Sequence, residues 1–465
     1  MDRFYNIFQT DSAVIISKDE IINYSALQKK VFSVSEYLLE KGVKENDLVA
    51  ILGKNSIDFI ILILSLWEIK AVPVPLNFNL SQNELQLILN DISPKKILYD
   101  INLNNIYKFE DQKIINYPFN YSIYKNIKKE STKLDLTRTA LIIFTSGSSG
   151  KPKGVKLNFN NIIKSAEAQN DFIKLRHHDK YLASLPFYHI GGFSIIIRTL
   201  LSGGTIIIPN TSKIDDLIEL IIKYKITSVS LVTTQLKRMI EKNFIPQSYL
   251  KNVLIGGSFL ENDLILKSFD KGLPVIKVYG STETCSFITA KIINSKNDIS
   301  NSLGKVIGKN KIKIIDNYIA IKGESVMQGY FNKQTDFTRD GYFVTEDIGF
   351  IDENSELIIK NRREDLIISG GEKISPKEIE SFITDFGKII DAVVIGLEDD
   401  EWGEVVTVVI VSLDNKLFPL IELNNFLSDK IAKYKLPKKL FFVKKIPRNE
   451  LGKLIKEELI KKINS

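Results

Sequence analysis

Sulfur and imidazole are nearly missing from this sequence. Its 465 residues hold one cysteine, Cys285, and three histidines. A single thiol cannot close an intrachain disulfide, so a reducing compartment suits the chain. One cysteine and three histidines also argue against a structural zinc site, which draws on several such ligands. Long apolar runs are scarce too. The most apolar stretch, 57–67, has about half the length that spans a bilayer and reads as a buried helix. The first residues lack the basic, apolar and small-residue layout of a signal peptide. A cytoplasmic protein without integral membrane contact is expected. Charge of one sign is modest: 63 basic and 56 acidic residues leave +7. The lysines are scattered, and the short clusters at 125–129 and 435–439 read as solvated faces rather than a nucleic-acid stripe. No nucleic-acid partner is expected.

What is present is length and alternation. A chain of 465 residues exceeds one small core, so two or more domains are expected. Strand-like runs at 48–52, 71–75, 96–99, 180–185, 204–208, 228–232, 252–255 and 275–279 alternate with helical patterns such as 57–69 and 214–224. That rhythm predicts parallel α/β layers. Around 311–322 it changes to short alternating strands, a small β unit. Past residue 364 it changes again. A helix is predicted over 376–386 with proline in its first turn, then strands at 392–397 and 404–413. A helix over 420–432, a strand at 440–443 and a basic terminal helix follow. The expected fold is α/β: a large N-terminal domain of layered subdomains over 1–361, and a smaller mobile α+β domain over 362–465. The polar run Asn361-Arg362-Arg363-Glu364-Asp365 between them reads as a hinge or as a plain hairpin turn.

Five segments carry chemistry. Residues 145–154 read Thr-Ser-Gly-Ser-Ser-Gly-Lys-Pro-Lys-Gly, behind a buried-looking strand at 140–144. Three glycines bring backbone N–H groups close to a ligand, and hydroxyls and lysines surround them, so the loop is a cradle for phosphate oxygens. It is not a Walker A loop: Gly147 to Lys151 spans G-x-x-G-K, and Pro152 replaces the magnesium-binding hydroxyl. The second segment is Tyr279-Gly280-Ser281-Thr282-Glu283-Thr284. Ser281 and Thr282 can donate to a phosphoryl oxygen, Glu283 can hold magnesium, and Tyr279 offers a ring face to a base. The third, 341–349, ends a strand with Asp347, which can accept both hydroxyls of a ribose. The fourth, 369–376, is a turn through Gly370 and Gly371 that opens a helix. In the fifth, 447–454, Gly452 frees the backbone beside Lys453. Taken alone, Lys453 would read as an exposed basic tail residue, and a lone glutamate in a loop as merely solvated.

In this order and spacing the five segments resemble the adenylate-forming superfamily of acyl-CoA synthetases, luciferases and peptide-synthetase adenylation domains. The resemblance covers nearly the whole chain. It implies a two-step reaction: ATP converts a carboxylate to an acyl-adenylate with loss of pyrophosphate, then a thiol, normally coenzyme A, displaces AMP. ATP, Mg2+ and coenzyme A are the implied cofactors and co-substrates. By the same resemblance Thr145, Ser146, Gly147, Ser148 and Lys151 hold the β- and γ-phosphates. Gly256-Gly257-Ser258 with Tyr279 match the adenine pocket, Gly280 and Ser281 belong to the nucleotide-binding set, Thr282 matches the α-phosphate contact and Glu283 the metal ligand. Asp347 matches the ribose acceptor and Arg362 a nearby ribose and phosphate contact. Lys453 matches the lysine that serves adenylation alone, and Gly370–Gly371 the turn brought toward the thiol when the smaller domain swings. Glu364 aligns with the hinge residue, where Asp or Lys is usual. Glu346 and Asn361 also depart from the pattern, and neither removes a ligand.

For the acid, Leu185-Pro186-Phe187-Tyr188-His189-Ile190-Gly191-Gly192-Phe193-Ser194 with Arg198 resembles the matching segment of o-succinylbenzoate–CoA ligases of menaquinone synthesis. So do the residues 361–372, and in part 230–239 with Thr233. That acid has an aryl ring and two carboxyl groups, so a partly apolar pocket with a cationic partner is expected. His189 would border substrate or gate the tunnel. Arg198, in an apolar helix, needs an anion: the substrate's carboxylate or an internal acid. Cys285 is given no covalent role. The expected partners are a small carboxylic acid, ATP and CoA, with a homodimer allowed. The alternatives are a ligase for a fatty or other aryl acid, and a stand-alone adenylation enzyme loading a carrier protein.

Overall fold

The computed structural model describes residues 13–17, 20–103, 107–109, 113–119, 134–145, 152–257, 260, 262–335, 337–361, 366–413, 417–448 and 454–464. These fall into two compact units. The first draws on Met1–Phe78, Ile92–Thr145 and Gly154–Arg362, the second on Asn79–Asp91, Ser146–Lys153 and Arg363–Ser465.

The first unit is built on a nine-stranded sheet. Its order is Lys305–Val306, Ser286–Ile292, Val275–Ser281, Asn252–Ile255, Ser228–Leu231, Lys180–Leu182, Thr205–Ile207, Ala13–Ile16 and Ile21–Asn23. From Val275–Ser281 to Ala13–Ile16 all neighbours are parallel, and both flanks are antiparallel. Every residue of Ser228–Leu231 and Asn252–Ile255 is buried. That is what covered parallel strands require, and why they read as unbroken apolar runs. A second, wholly parallel sheet orders Val72–Leu76, Leu48–Leu52, Lys96–Asp100 and Ile114–Tyr117. Pro73 and Pro75 fit there because their strand is at the sheet's edge, where missing N–H groups break no ladder. The helix Ile57–Glu68 buries ten of its twelve residues and starts at Ser56, whose hydroxyl accepts from Phe59 N at 3.1 Å. Its apolar run is therefore core. Among the described residues no helix is long and apolar enough to cross a membrane. The small β unit is an antiparallel sheet, Lys311–Ile315, Tyr318–Lys322, Phe343–Ile351 and Leu357–Asn361.

The second unit holds a five-stranded sheet: Glu372–Ile374, Ile367–Ser369, Gly403–Ser412 and Ile389–Asp399, with Lys439–Phe442 parallel to Gly403–Ser412. Helices Pro376–Ile383 and Leu420–Leu427 cover one apolar cluster, and Leu459 of Lys456–Asn464 enters another. Two helices are shorter than the sequence predicts. The first ends at Ile383 in a 3-10 turn closed by Gly387 at φ +74°. The second ends at Leu427, where Lys430 N turns back to Leu427 O at 2.9 Å. Lys435 is a correction. Its cluster was expected to be solvated, yet it is 4% exposed and pairs with Glu378 at 2.8 Å, which offsets the burial of its charge. The other cluster, 125–129, lies outside the described residues.

Candidate active site

Four neighbouring parallel strands end at one edge of the large sheet. Leu182 pairs with Val229, Leu231 with Ile255, and Ile255 with Lys277. The residues that follow therefore emerge side by side: the 183–194 segment, Thr233, Gly256–Gly257 and 279–283. Ligands of parallel sheets bind at the carboxyl ends of strands because the loops there converge. Parallel register thus gathers segments a hundred residues apart in sequence.

At the last of these strands two carboxylates are held by two phenols. Tyr279 Oη donates to Asp347 Oδ2 at 2.7 Å, and Tyr330 Oη donates to Glu283 Oε1 at 2.9 Å. Asp347 comes from the strand Phe343–Ile351 of the small β unit. The Tyr279 ring, assigned to a base from sequence, is 2% exposed, and its hydroxyl is committed to Asp347. Thr282 and Glu283 open a 3-10 turn, Thr282–Thr284, and Met327 N pins the Glu283 carbonyl at 2.8 Å. Ser281 Oγ is buried without a hydrogen-bond partner among the described residues. Gly280 crosses the neighbouring strand so closely that a Cβ would sit 2.0 Å from Ser286 O. No lysine or arginine pairs with Glu283 among the described residues. A carboxylate steadied by a neutral phenol keeps its charge for a hard cation, so this donor fits magnesium.

The segment expected to border the acid opens the helix Ile190–Ser202. His189 is its N-cap, with its ring 4.6 Å from that of Tyr188. Asn55 fixes the preceding turn, accepting from Phe187 N and donating to Leu185 O, both at 2.8 Å. Gly192 packs on that turn, where a Cβ would meet Pro186 O at 2.1 Å. Arg198 is 1% exposed. Its Nε donates to Ser194 O at 3.1 Å and its Nη2 to Ser194 Oγ at 2.6 Å, while Nη1 has no partner among the described residues. Its guanidinium lies 5.1 Å from the Tyr181 ring and 5.5 Å from the Phe287 ring. Burial lowers its pKa from the ordinary value. No carboxylate pairs with it among the described residues, so the internal acid allowed by the sequence is not among them. Thr233 begins the helix Thr233–Glu241, three residues after Ser230, whose hydroxyl meets Tyr181 Oη at 2.8 Å. Cys285 is buried, which pushes its thiol up to about 12 and leaves it inert.

Thr145 ends the strand Thr139–Thr145. Ser146, Gly147, Ser148, Lys151, Ser258, Arg362, Glu364 and Lys453 lie outside the described residues. In the second unit Gly370 and Gly371 form the turn between Ile367–Ser369 and Glu372–Ile374, at φ +59° and +90°. Gly370 N donates to Trp402 O at 2.9 Å, and Lys438 Nζ lies 3.5 Å above the Trp402 ring. Sequence reasoning passed over Tyr330, Asn55 and Trp402. None sits in a motif, and only tertiary contacts reveal them.

Residues 6–331 match the family model described as AMP-binding enzyme, and residues 378–453 the one described as AMP-binding enzyme C-terminal domain. A 2-succinylbenzoate–CoA ligase of Bacillus thuringiensis subsp. konkukian (strain 97-27) is 33% identical, over 97% of this chain and 95% of that protein. A solved structure of o-succinylbenzoate CoA synthetase from Bacillus subtilis is similar at TM-score 0.89 and 28% identity, over 99% of this chain and 98% of that one. It is a double mutant bound with its product analogue OSB-NCoA. The Bacillus subtilis synthetase in complex with ATP and magnesium ion gives a TM-score of 0.72 at 28% identity, over 98% and 99%.

Proposed function

The chain belongs to the AMP-binding enzyme family, and from that premise we propose that it is an ATP-dependent ligase joining 2-succinylbenzoate to coenzyme A in menaquinone synthesis. A carboxylate oxygen of the acid attacks the α-phosphorus of ATP, the bond to the bridging oxygen breaks, and pyrophosphate leaves. The thiolate of coenzyme A then attacks the acyl carbon and AMP departs with the electron pair of the C–O bond. Asp347, steadied by Tyr279, holds the ribose, and Thr282 with Ser281 meets the α-phosphate. Glu283, steadied by Tyr330, would hold magnesium, which supplies positive charge against the leaving pyrophosphate. Lys453 brings its ammonium to the acid and the ribose during adenylation, by the family resemblance alone. The glycine turn at Gly370–Gly371 serves the thiol step. The cytoplasm, where ATP and CoA are abundant, is the proposed location.

The observation that carries the choice of acid is Arg198. A buried guanidinium whose Nη1 group meets no partner and no acid among the described residues is costly unless an anion arrives. Only an acid with a second carboxylate supplies one after the first has reacted. A fatty acid does not, which disfavours the main alternative. The test is to incubate the pure protein with ATP, magnesium and a panel of acids, with and without CoA. Fastest pyrophosphate release with 2-succinylbenzoate, and thioester only when CoA is added, are expected. Release no higher than without acid would remove this substrate.

A further inference from the structure

Two consecutive residues behind the Glu283 turn occupy backbone space that side chains disfavour. Cys285 has φ +53° and Ser286 φ +82°. Such outliers persist only where surrounding contacts over-determine them, and they gather at functional sites. Here the contacts fall on three successive carbonyls. Ser165 Oγ donates to Cys285 O, Thr284 Oγ1 to Ser286 O at 2.8 Å, and Gln169 Nε2 to Phe287 O at 3.2 Å. Gln169 Nε2 also donates to Ser165 Oγ at 2.8 Å, so the two helix residues act as one bracket. Both belong to the helix Phe159–Ile173, whose capping box at Asn158 and Asn161 fixes its start. Gln169 is wholly buried and Ser165 is 3% exposed.

The bend so held presents Ser286 Oγ and the Phe287 ring to the acyl side. Ser194 Oγ accepts from Arg198 Nη2 at 2.6 Å, and it lies 3.0 Å from Gly191 O in its own helix and 3.2 Å from Ser286 Oγ, while the Phe287 ring lies under the guanidinium. Arg198 is therefore placed by Ser194 of its own helix together with a hydroxyl and a ring, Ser286 and Phe287, that depend on the bend. Gln169 Oε1 and Arg198 Nη1, an acceptor and a donor, are each buried without a partner among the described residues. A wholly buried amide costs more than an apolar side chain would, unless its hydrogen bonds matter.

We propose that Ser165 and Gln169 are positioning residues of the acyl pocket. By bracketing the left-handed bend at Cys285–Ser286 they aim Arg198, through Ser286 and Ser194, at the second carboxylate of the acid. This rests on the reading of Arg198 as the anion site.

The test compares kcat/KM for 2-succinylbenzoate with that for 4-oxo-4-phenylbutanoate, the same acid without its ring carboxyl. A ratio taken on one preparation cancels the folded fraction. Gln169→Met, or Ser165→Ala should that chain not fold, lowers the ratio about tenfold through KM for the diacid, with KM for ATP moving less than about twofold. Ser286→Ala gives a similar loss, and combining it with Gln169→Met adds little, because both act through one bend. A ratio that does not fall, or an ATP KM that rises as much as that of the diacid, overturns the positioning role. Arg198→Met separates the two readings. If it lowers the ratio while Gln169→Met and Ser165→Ala do not, the anion site stands and the bracket falls. If Arg198→Met leaves the ratio where it was, the anion site falls and the bracket falls with it.

Discussion

Tyr279 and Tyr330 do the same work at two carboxylates. Each phenol donates one hydrogen bond, to Asp347 and to Glu283, and so fixes a rotamer without cancelling a charge. Losing such a bond to a charged group costs about 1.5 kcal/mol, or about tenfold in binding. Tyr279→Phe should therefore raise KM for ATP about tenfold while leaving KM for the acid nearly as it was. Steady-state kinetics with each substrate varied will show it, and equal rises in both constants would count against the ribose role of Asp347. Lys453 makes a prediction of a different kind. Lys453→Ala should slow adenylation by about a hundredfold or more and spare thioester formation from supplied acyl-adenylate. Equal loss in both half-reactions would contradict a role in adenylation alone. The carboxylates were legible in sequence, because each stands in an ordered motif. Their phenol partner Tyr330 was not, since 47 residues separate it from Glu283 and nothing local marks it.

At the scale of elements, the strand ends were read well and the turns between them less so. The predicted strand at 252–255 and the helix at 214–224 match the structure residue for residue, because each is a short apolar run with a matching period. The strand expected over 180–185 stops at Leu182. Beyond it Ala183 N still reaches Ile207 O at 2.8 Å, but the Ala183 and Leu185 carbonyls turn to Asn55, in the bend before the helix Ile57–Glu68. That is a tertiary override, invisible to periodicity. Close packing of elements also separates glycines that look alike in sequence. Gly280→Ala would drive a Cβ to 2.0 Å from Ser286 O, a backbone atom that cannot retreat without moving the strand. Gly257 stands at φ +87° with nothing within 4 Å of the same added atom, so Gly257→Ala meets only backbone strain. A loss of about 3 kcal/mol or more is expected for the first and about 1 kcal/mol for the second. Urea midpoints of the two variants measured side by side decide it; equal losses would mean that strand Ser286–Ile292 yields more easily than its pairing suggests.

The whole molecule carries a buried cation that affects its stability with pH. Lys277 is 2% exposed, in the strand below the site, and its ammonium donates to Ser300 O at 2.6 Å. Burial, and then the neighbouring Lys291 ammonium, lower its pKa from 10.5 to about 8, against a smaller opposing pull from Glu356. Between those values the unfolded chain holds a proton that the folded chain has released, so stability rises with pH there; below about 8 the cost is fully present. Relative to Lys277→Met, the native chain should gain up to about 3 kcal/mol from pH 8 to 10.5. Urea unfolding of both chains across that range measures the difference, and a flat difference would refute it. The sequence by itself determined the α/β class and marked the segments expected to take phosphate, ribose and metal, because glycine loops and strand periods are local properties. It also supplied the likeness that names the acid. Tertiary structure alone decided that Tyr330 serves Glu283, that Lys435 is buried, and that Arg198 has no acid beside it among the described residues. Those facts depend on which side chains the parallel register and helix packing bring together across the fold, and no run of neighbouring residues encodes that.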